Sequence, residues 1–244
     1  IYQFNDFFFI TLLFLIPALL IIPYYFSQIK EKFSLKITLK NYLAKFDERR
    51  EPKYNSTLVI IYLILSTAGF YLLFLGQTVA SIQAPWQVVS KHFFIIYFLA
   101  TAILLIYLFN SFRTKLPLIL LAIHSFLGSS VALIVYKIGY GFDPFIHQAT
   151  EKIITQTGTI NPKPLYYLGQ YALVVFFHKL TLIDLEIIDR VLVPLLFAAF
   201  LPSFIFYVFS HWFKKNYALV LSLMILAIPF SSFIMTAPQN LANL

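Results

Sequence analysis

The sequence predicts an all-α fold: a polytopic transmembrane helical bundle of about six spans, with two juxtamembrane helices in one outer loop. Three observations carry this. The 244 residues are 60% hydrophobic and only 11% charged, with mean hydropathy +0.83. Globular domains average about 25% charged residues, and so few charges cannot coat a water-facing surface. The apolar residues form continuous runs of spanning length rather than the alternation of a membrane β-barrel. The basic residues also fall mainly in one set of connections.

Six segments are long and apolar enough to span: 4–26, 57–80, 92–110, 116–138, 185–209 and 217–236. Lys and Arg in the connections set their orientation. Loop 27–56 carries Lys30, Lys32, Lys36, Lys40, Lys45, Arg49, Arg50 and Lys53. Arg113 and Lys115 follow the third segment, and Lys214 and Lys215 the fifth. This side reads as cytoplasmic. The opposite side balances its bases with Asp6, Asp143, Glu151, Asp184, Glu186 and Asp189. The net charge of +8 is therefore a topology signal, with loop 27–56 against anionic lipid. Nucleic acid is not an expected partner. The sequon at Asn55 falls on the cytoplasmic side and reads as a chance match. Without Cys, the chain has no disulfides or thiolate metal sites. No repeat stands out. The topology puts Ile1 outside, and the terminal "SSFIMTAPQNLANL" lacks a charged flank. Both ends read as those of a piece of a longer protein.

The outer loop 139–184 holds the polar chemistry. "GYGFDPFIHQATEKIITQTG" starts a helix at Asp143, whose carboxylate suits the cap, with Pro144 at the first helical position. Gly158 ends it after Thr157. Phe145, Ile146, Ala149, Ile153 and Ile154 make an apolar stripe. Asp143, His147 and Glu151 lie one turn apart on another face. The pattern is that of an amphipathic helix on a membrane surface. After the bend "TINPKP", residues 165–180 form a second, interfacial helix with Tyr166, Tyr167 and Tyr171 at headgroup level. Asp184 then caps a span that carries Asp189 and Arg190 in its first turns.

"FDPFIHQAT", residues 142–150, resembles the FDPWFNYRAT-type motif of the oligosaccharyltransferase catalytic subunit. The wider order is an outer-loop Asp, an amphipathic helix, Gly, "NPKPLYY", a short helix, then an Arg opening the next span. It is similar to the first outer loop of GT-C membrane glycosyltransferases. The resemblance covers about residues 116–244, and its specific part is 140–190. It divides the chain into N-terminal helices with a basic cytoplasmic loop, 1–115, and a GT-C-like region, 116–244. It implies a glycosyltransferase of the cell membrane. Its partners would be the bilayer, a polyprenyl-phosphate-type sugar donor, and a glycan or protein acceptor on the outer face.

Each candidate residue has two readings. Asp143 is either a helix cap, worth about 1 kcal/mol, or a catalytic general base or cation ligand. His147 and Glu151 either make a solvated helix face or join Asp143 in holding a divalent cation, Mg or Mn. The metal ligands would then be Asp143 and Glu151, with His147 as a substrate contact. Arg190 either binds a donor phosphate or snorkels and pairs with an acid such as Glu186. His124 lies mid-span, where polar groups are functional candidates; a neutral imidazole bonded to a neighbouring helix is the plainer reading. His178 and Lys179 reach headgroups. The rival functions are a multi-pass transporter or flippase of lipid-linked sugars, and a non-catalytic membrane scaffold.

Overall fold

A chain in hydrocarbon must satisfy its backbone polar groups internally, so apolar runs of this length fold as helices. The computed structural model describes residues 2–3, 54–111, 114–141, 143–160, 167–224, 234–242 and 244. The elements in chain order are β1 (Tyr2–Gln3), α1 (Tyr54–Leu75), α2 (His92–Asn110), α3 (Lys115–Ser129), α4 (Val131–Val135), α5 (Asp143–Thr157), β2 (Thr159–Ile160), α6 (Leu168–Thr181), α7 (Leu185–Phe209), α8 (Lys215–Met224) and α9 (Pro238–Ala242). Among the described residues the fold is all-helical apart from the two-residue antiparallel pairing of β1 with β2. Among the described residues, three helices are long and apolar enough to cross a membrane: α1 from Ser56, α2 and α7.

The expected spans 92–110 and 185–209 coincide with α2 and α7. The others differ. Segment 4–26 lies outside the described residues. Segment 57–80 stops being helical after Leu75. The Gly76 N–H closes the last turn on Leu72 and Leu73, and the chain then leaves to form a parallel bridge between Thr78 and Tyr136. Segment 116–138 is interrupted at Ser130, between α3 and α4. The hydroxyls of Ser129 and Ser130 turn back to the Phe126 and Leu127 carbonyls, the local competition that bends helices. From Lys115 to Val135 the two pieces would run about 31 Å at 1.5 Å per residue. Segment 217–236 is helical to Met224, and 225–233 lie outside the described residues.

The chain divides into two units. Residues 51–148 and 186–244 make one, and residues 1–50 and 149–185 the other. In the first unit the core is built by α1, α2, α3 and α8. Tyr62, Ala100, Leu104, Leu108, Leu120, Leu121 and Leu219 are fully or almost fully buried together. The Tyr62 hydroxyl crosses from α1 to donate to the Leu120 carbonyl at 3.0 Å. Gly69 lets α1 approach α3: a Cβ there would lie 3.1 Å from Leu127. Such close packing at small residues is how helices associate without a hydrophobic drive.

The outward faces are apolar. Ile60, Ile64, Phe98, Phe200 and Phe204 are all more than half exposed, far more apolar surface than a water-facing protein carries. Several hydroxyls inside these helices are satisfied locally. Thr101, Ser125, Ser203 and Ser222 each donate to the carbonyl four residues back. Trp86 follows α1 and Trp212 follows α7, both well exposed. Amphipathic rings at helix ends are the pattern of a membrane interface.

In the second unit, α6 is the second short helix expected over 165–180. It ends at Leu182, which adopts a left-handed φ of 60°. The Nδ1–H of His178 donates to the Ile183 carbonyl at 2.7 Å, fixing that turn. Tyr171, expected at headgroup level, is fully buried.

Candidate functional site

Helix α5 begins at Asp143 and ends at Thr157, as the Asp-Pro start and Gly158 stop require. Gly158 takes a φ of 69°, and its N–H donates to the Ile154 carbonyl at 2.8 Å. What differs is the direction of its faces. The polar stripe is not solvated: His147, Gln148 and Glu151 are 7%, 8% and 0% exposed. Phe145, Ile146 and Ile153 point outward, at 40%, 42% and 56%. Ile154, expected on the apolar stripe with them, is buried. The solvated-face expectation is therefore corrected. An outward apolar face suits a helix lying on a membrane surface, and its polar groups then turn inward to find partners.

Those partners lie on two different helices. In one unit, the Gln170 amide on α6 donates to Glu151 Oε1 at 3.2 Å. In the other, the Gln148 amide donates to Asp189 Oδ2 at 2.9 Å. Asp189 is fully buried in the second turn of α7. It is held where Pro194 opens that helix: proline lacks the N–H that would bond the Arg190 carbonyl. One turn of α7 is then bonded from outside, the Val193 N–H donating to Thr236 Oγ1 at 3.2 Å.

Arg190 takes a role that neither sequence reading contained. Its guanidinium donates to the carbonyls of Leu133, Tyr136 and Lys137 at 3.1, 3.2 and 3.3 Å. These are the free carbonyls at the end of α4, where a cation complements the helix dipole. Arg190 thus ties the start of α7 to the end of α4, and among the described residues part of its donor fork stays uncommitted. A cavity of about 20 Å³ lies beside it, lined by Tyr136, Tyr140, Pro144, Gln148, Asp189, Arg190 and Thr236 among others. It has room for about one water. Asp143 stands directly before Pro144, at the edge of this group; its side chain lies outside the described residues.

Of the expected site residues, the structure brings Arg190 and the start of the Asp143 helix to one polar junction. His147 is buried on the same helix and does not line the cavity. Glu151 belongs to the other unit, on Gln170. Among the described residues, no group of three or more His, Asp or Glu is placed to hold a metal ion. Sequence reasoning missed Gln148, Asp189 and Gln170. The signal for Asp189 was present, because an acid inside an apolar span requires a partner. Its pairing with a residue 41 positions away was not.

His124 behaves as the plainer reading expected. It is fully buried on α3, bonded through Nε2 to Thr101 Oγ1 on α2 at 3.0 Å. The Thr101 hydroxyl gives its proton to the Tyr97 carbonyl at 2.8 Å. It must therefore accept from His124, so Nε2 carries a proton, and Nδ1, buried with no acceptor among the described residues, is left without one. The ring stacks on Tyr97 with centroids 4.7 Å apart.

No protein family, no curated protein and no solved structure matches the chain.

Proposed function

We propose that this membrane protein is a GT-C-type glycosyltransferase, moving a sugar from a polyprenyl-phosphate-type donor to a glycan or protein acceptor at the outer face of the cell membrane. The observation that carries the reading is the buried polar junction of Gln148, Asp189 and Arg190 beside the start of the Asp143 helix. In a lipid-facing chain, ionisable groups gathered at one helix opening mark a site of chemistry. The local resemblance of residues 142–150 supplies the class of reaction.

In this reading Asp143 takes the proton from the attacking acceptor hydroxyl. A new bond forms from that oxygen to the sugar's anomeric carbon as the bond from that carbon to the donor phosphate breaks. The lipid phosphate leaves with the electron pair, and the anomeric centre inverts. The uncommitted part of the Arg190 fork meets the developing phosphate charge, which a planar guanidinium matches well. No step is routed through a divalent cation. The decisive variant is Asp143→Asn, because Asn caps a helix about as well as Asp and is a poor base. Loss of a base costs about 10²–10⁴-fold in rate. Glycosyl transfer in membranes should fall by that factor while the melting temperature holds. Near-normal transfer by the variant would remove Asp143 from the mechanism.

Six spans belong to the same reading, with 4–26 and 217–236 crossing and α3 with α4 acting as one broken span. The basic connections then lie inside and 139–184 outside. The chain has no Cys, so single cysteines report cleanly. An impermeant thiol reagent added outside intact cells should label Thr159→Cys and spare Lys214→Cys. The opposite pattern would put Asp143 on the cytoplasmic side and end the outer-face assignment. A transporter is the second reading, and its favouring observation would be ionisable groups at the midplane. Among the described residues His124 is the one such group with a deep position in a span, and it is neutral and bonded.

A further inference from the structure

We infer that the cleft between the loop 78–83 and the turn 136–141 binds a neutral sugar ring, stacked on Tyr140. This rests on, and deepens, the glycosyl-transfer reading, since it assigns a sugar subsite next to the polar junction. The cleft measures about 300 Å³, at the lower end of the range for small-molecule sites. It shares Tyr136, Gly139 and Tyr140 with the small cavity at Arg190, so one turn of chain forms a wall of both.

The shape is built by the backbone. Thr78 donates to the Val135 carbonyl at 2.9 Å and accepts from the Lys137 N–H at 3.1 Å, which pins the two loops together. Gly139 and Gly141 take φ of 136° and 82°, a path that side-chain-bearing residues rarely follow. A Cβ at Gly139 would also lie 3.1 Å from the Phe145 ring. The turn thereby projects two tyrosines, with ring centroids 5.0 Å apart and planes at 42°. The Tyr136 hydroxyl is held at the Ile82 carbonyl, 3.5 Å away. Tyr140 is the more exposed ring, at 36%.

The lining chemistry selects the ligand. Among the described residues that line the cleft, none is an acid or a base; Lys137 in the turn and Arg190 in the adjoining cavity lie outside its lining. A phospholipid headgroup or a free phosphate seated in the cleft would meet no counter-charge in its own lining. Thr78, Ser81 and Gln83 offer neutral donors and acceptors. Ile82 and Ile138 add apolar surface between them. A ring with hydroxyls on its edge and C–H groups on its face matches this mixture, and the neutral lining makes its binding insensitive to salt.

The test is direct binding, independent of turnover. The full chain in nanodiscs is titrated with a panel of neutral disaccharides (maltose, lactose, chitobiose), and saturation-transfer NMR reads contact with the sugar C–H groups. At least one disaccharide should bind, with affinity unchanged between low and high salt. Tyr140→Ala should weaken it about tenfold, the scale of one aromatic contact, while Tyr140→Phe should hold it within about threefold because the ring face remains. The sugar-ring assignment is overturned if no disaccharide binds, if Tyr140→Ala binds as the parent does, or if only glycerophosphate competes. If Asp143→Asn abolishes transfer while Tyr140→Ala leaves sugar contact intact, the glycosyltransferase reading stands and the cleft assignment falls. If sugar binding depends on Tyr140 in a protein that transfers nothing, the cleft assignment stands and the reaction falls.

Discussion

Polar groups are buried at two places in the same unit, and they are buried differently. His124 sits alone among Tyr62, Tyr97 and Thr101, with one neutral hydrogen bond at 3.0 Å. Asp189 sits with Gln148, next to Arg190, in a helix whose ladder Pro194 interrupts. The first arrangement closes on itself and leaves aromatic rings on two sides. The second places a carboxylate, a guanidinium and helix-end carbonyls around a cavity. Burial alone therefore says little about role. What separates the two is whether charge is gathered and whether the backbone around it is open.

The largest stability effect that sharpens this contrast is expected at Gln148. Its amide is a donor to a fully buried carboxylate at 2.9 Å. Gln148→Leu keeps most of the volume and removes the donor. A buried acceptor that loses one of its donors costs up to about 1–3 kcal/mol. For a chain of this size that corresponds to a Tm lower by roughly 2–10 °C in detergent. Gln148→Asn, which keeps an amide on a shorter stem, should recover part of the loss. A Gln148→Leu protein that melts with the parent would mean that Asp189 is satisfied without α5, and the junction would lose its central contact.

The same contrast explains what could be read in advance. Helix α2 and helix α7 were legible to the residue, because their apolar runs are bounded by charged or polar groups at both ends. The limits of α5 were legible too, from Asp143, Pro144 and Gly158. The broken span at Ser130 was not: "HSFLGSSVAL" reads as one apolar segment, and the break falls where the hydroxyls of Ser129 and Ser130 turn back on the helix. The facing of α5 failed for a different reason. A helical period shows that two faces exist, not which one meets the solvent, and in lipid the assignment is the reverse of that in water. Arg190 shows the limit again. Sequence names its charge and depth, but its partners are carbonyls more than fifty positions away, which no local pattern encodes.

The smallest effect is expected at His124, and it breaks the comparison most directly if it is not small. Replacing His124 with Phe keeps a planar ring of similar size against Tyr97 and removes Nε2–H. Thr101 Oγ1 then loses a donor but keeps its own bond to the Tyr97 carbonyl at 2.8 Å, so no proton is left without an acceptor. The substitution also removes Nδ1, a buried nitrogen with no hydrogen-bond partner among the described residues. Losing one neutral bond costs about 0.5–1.5 kcal/mol, and relief of an unpartnered polar atom offsets a similar amount. His124→Phe should therefore melt within a few degrees of the parent and, on the proposed reading, leave glycosyl transfer unchanged. A thermal scan and a transfer assay on the same preparation decide it. A variant that folds normally but loses activity would make the mid-span imidazole part of the working machinery. The balance would then move from chemistry at the α7 opening toward a path through the membrane, as the transporter reading requires.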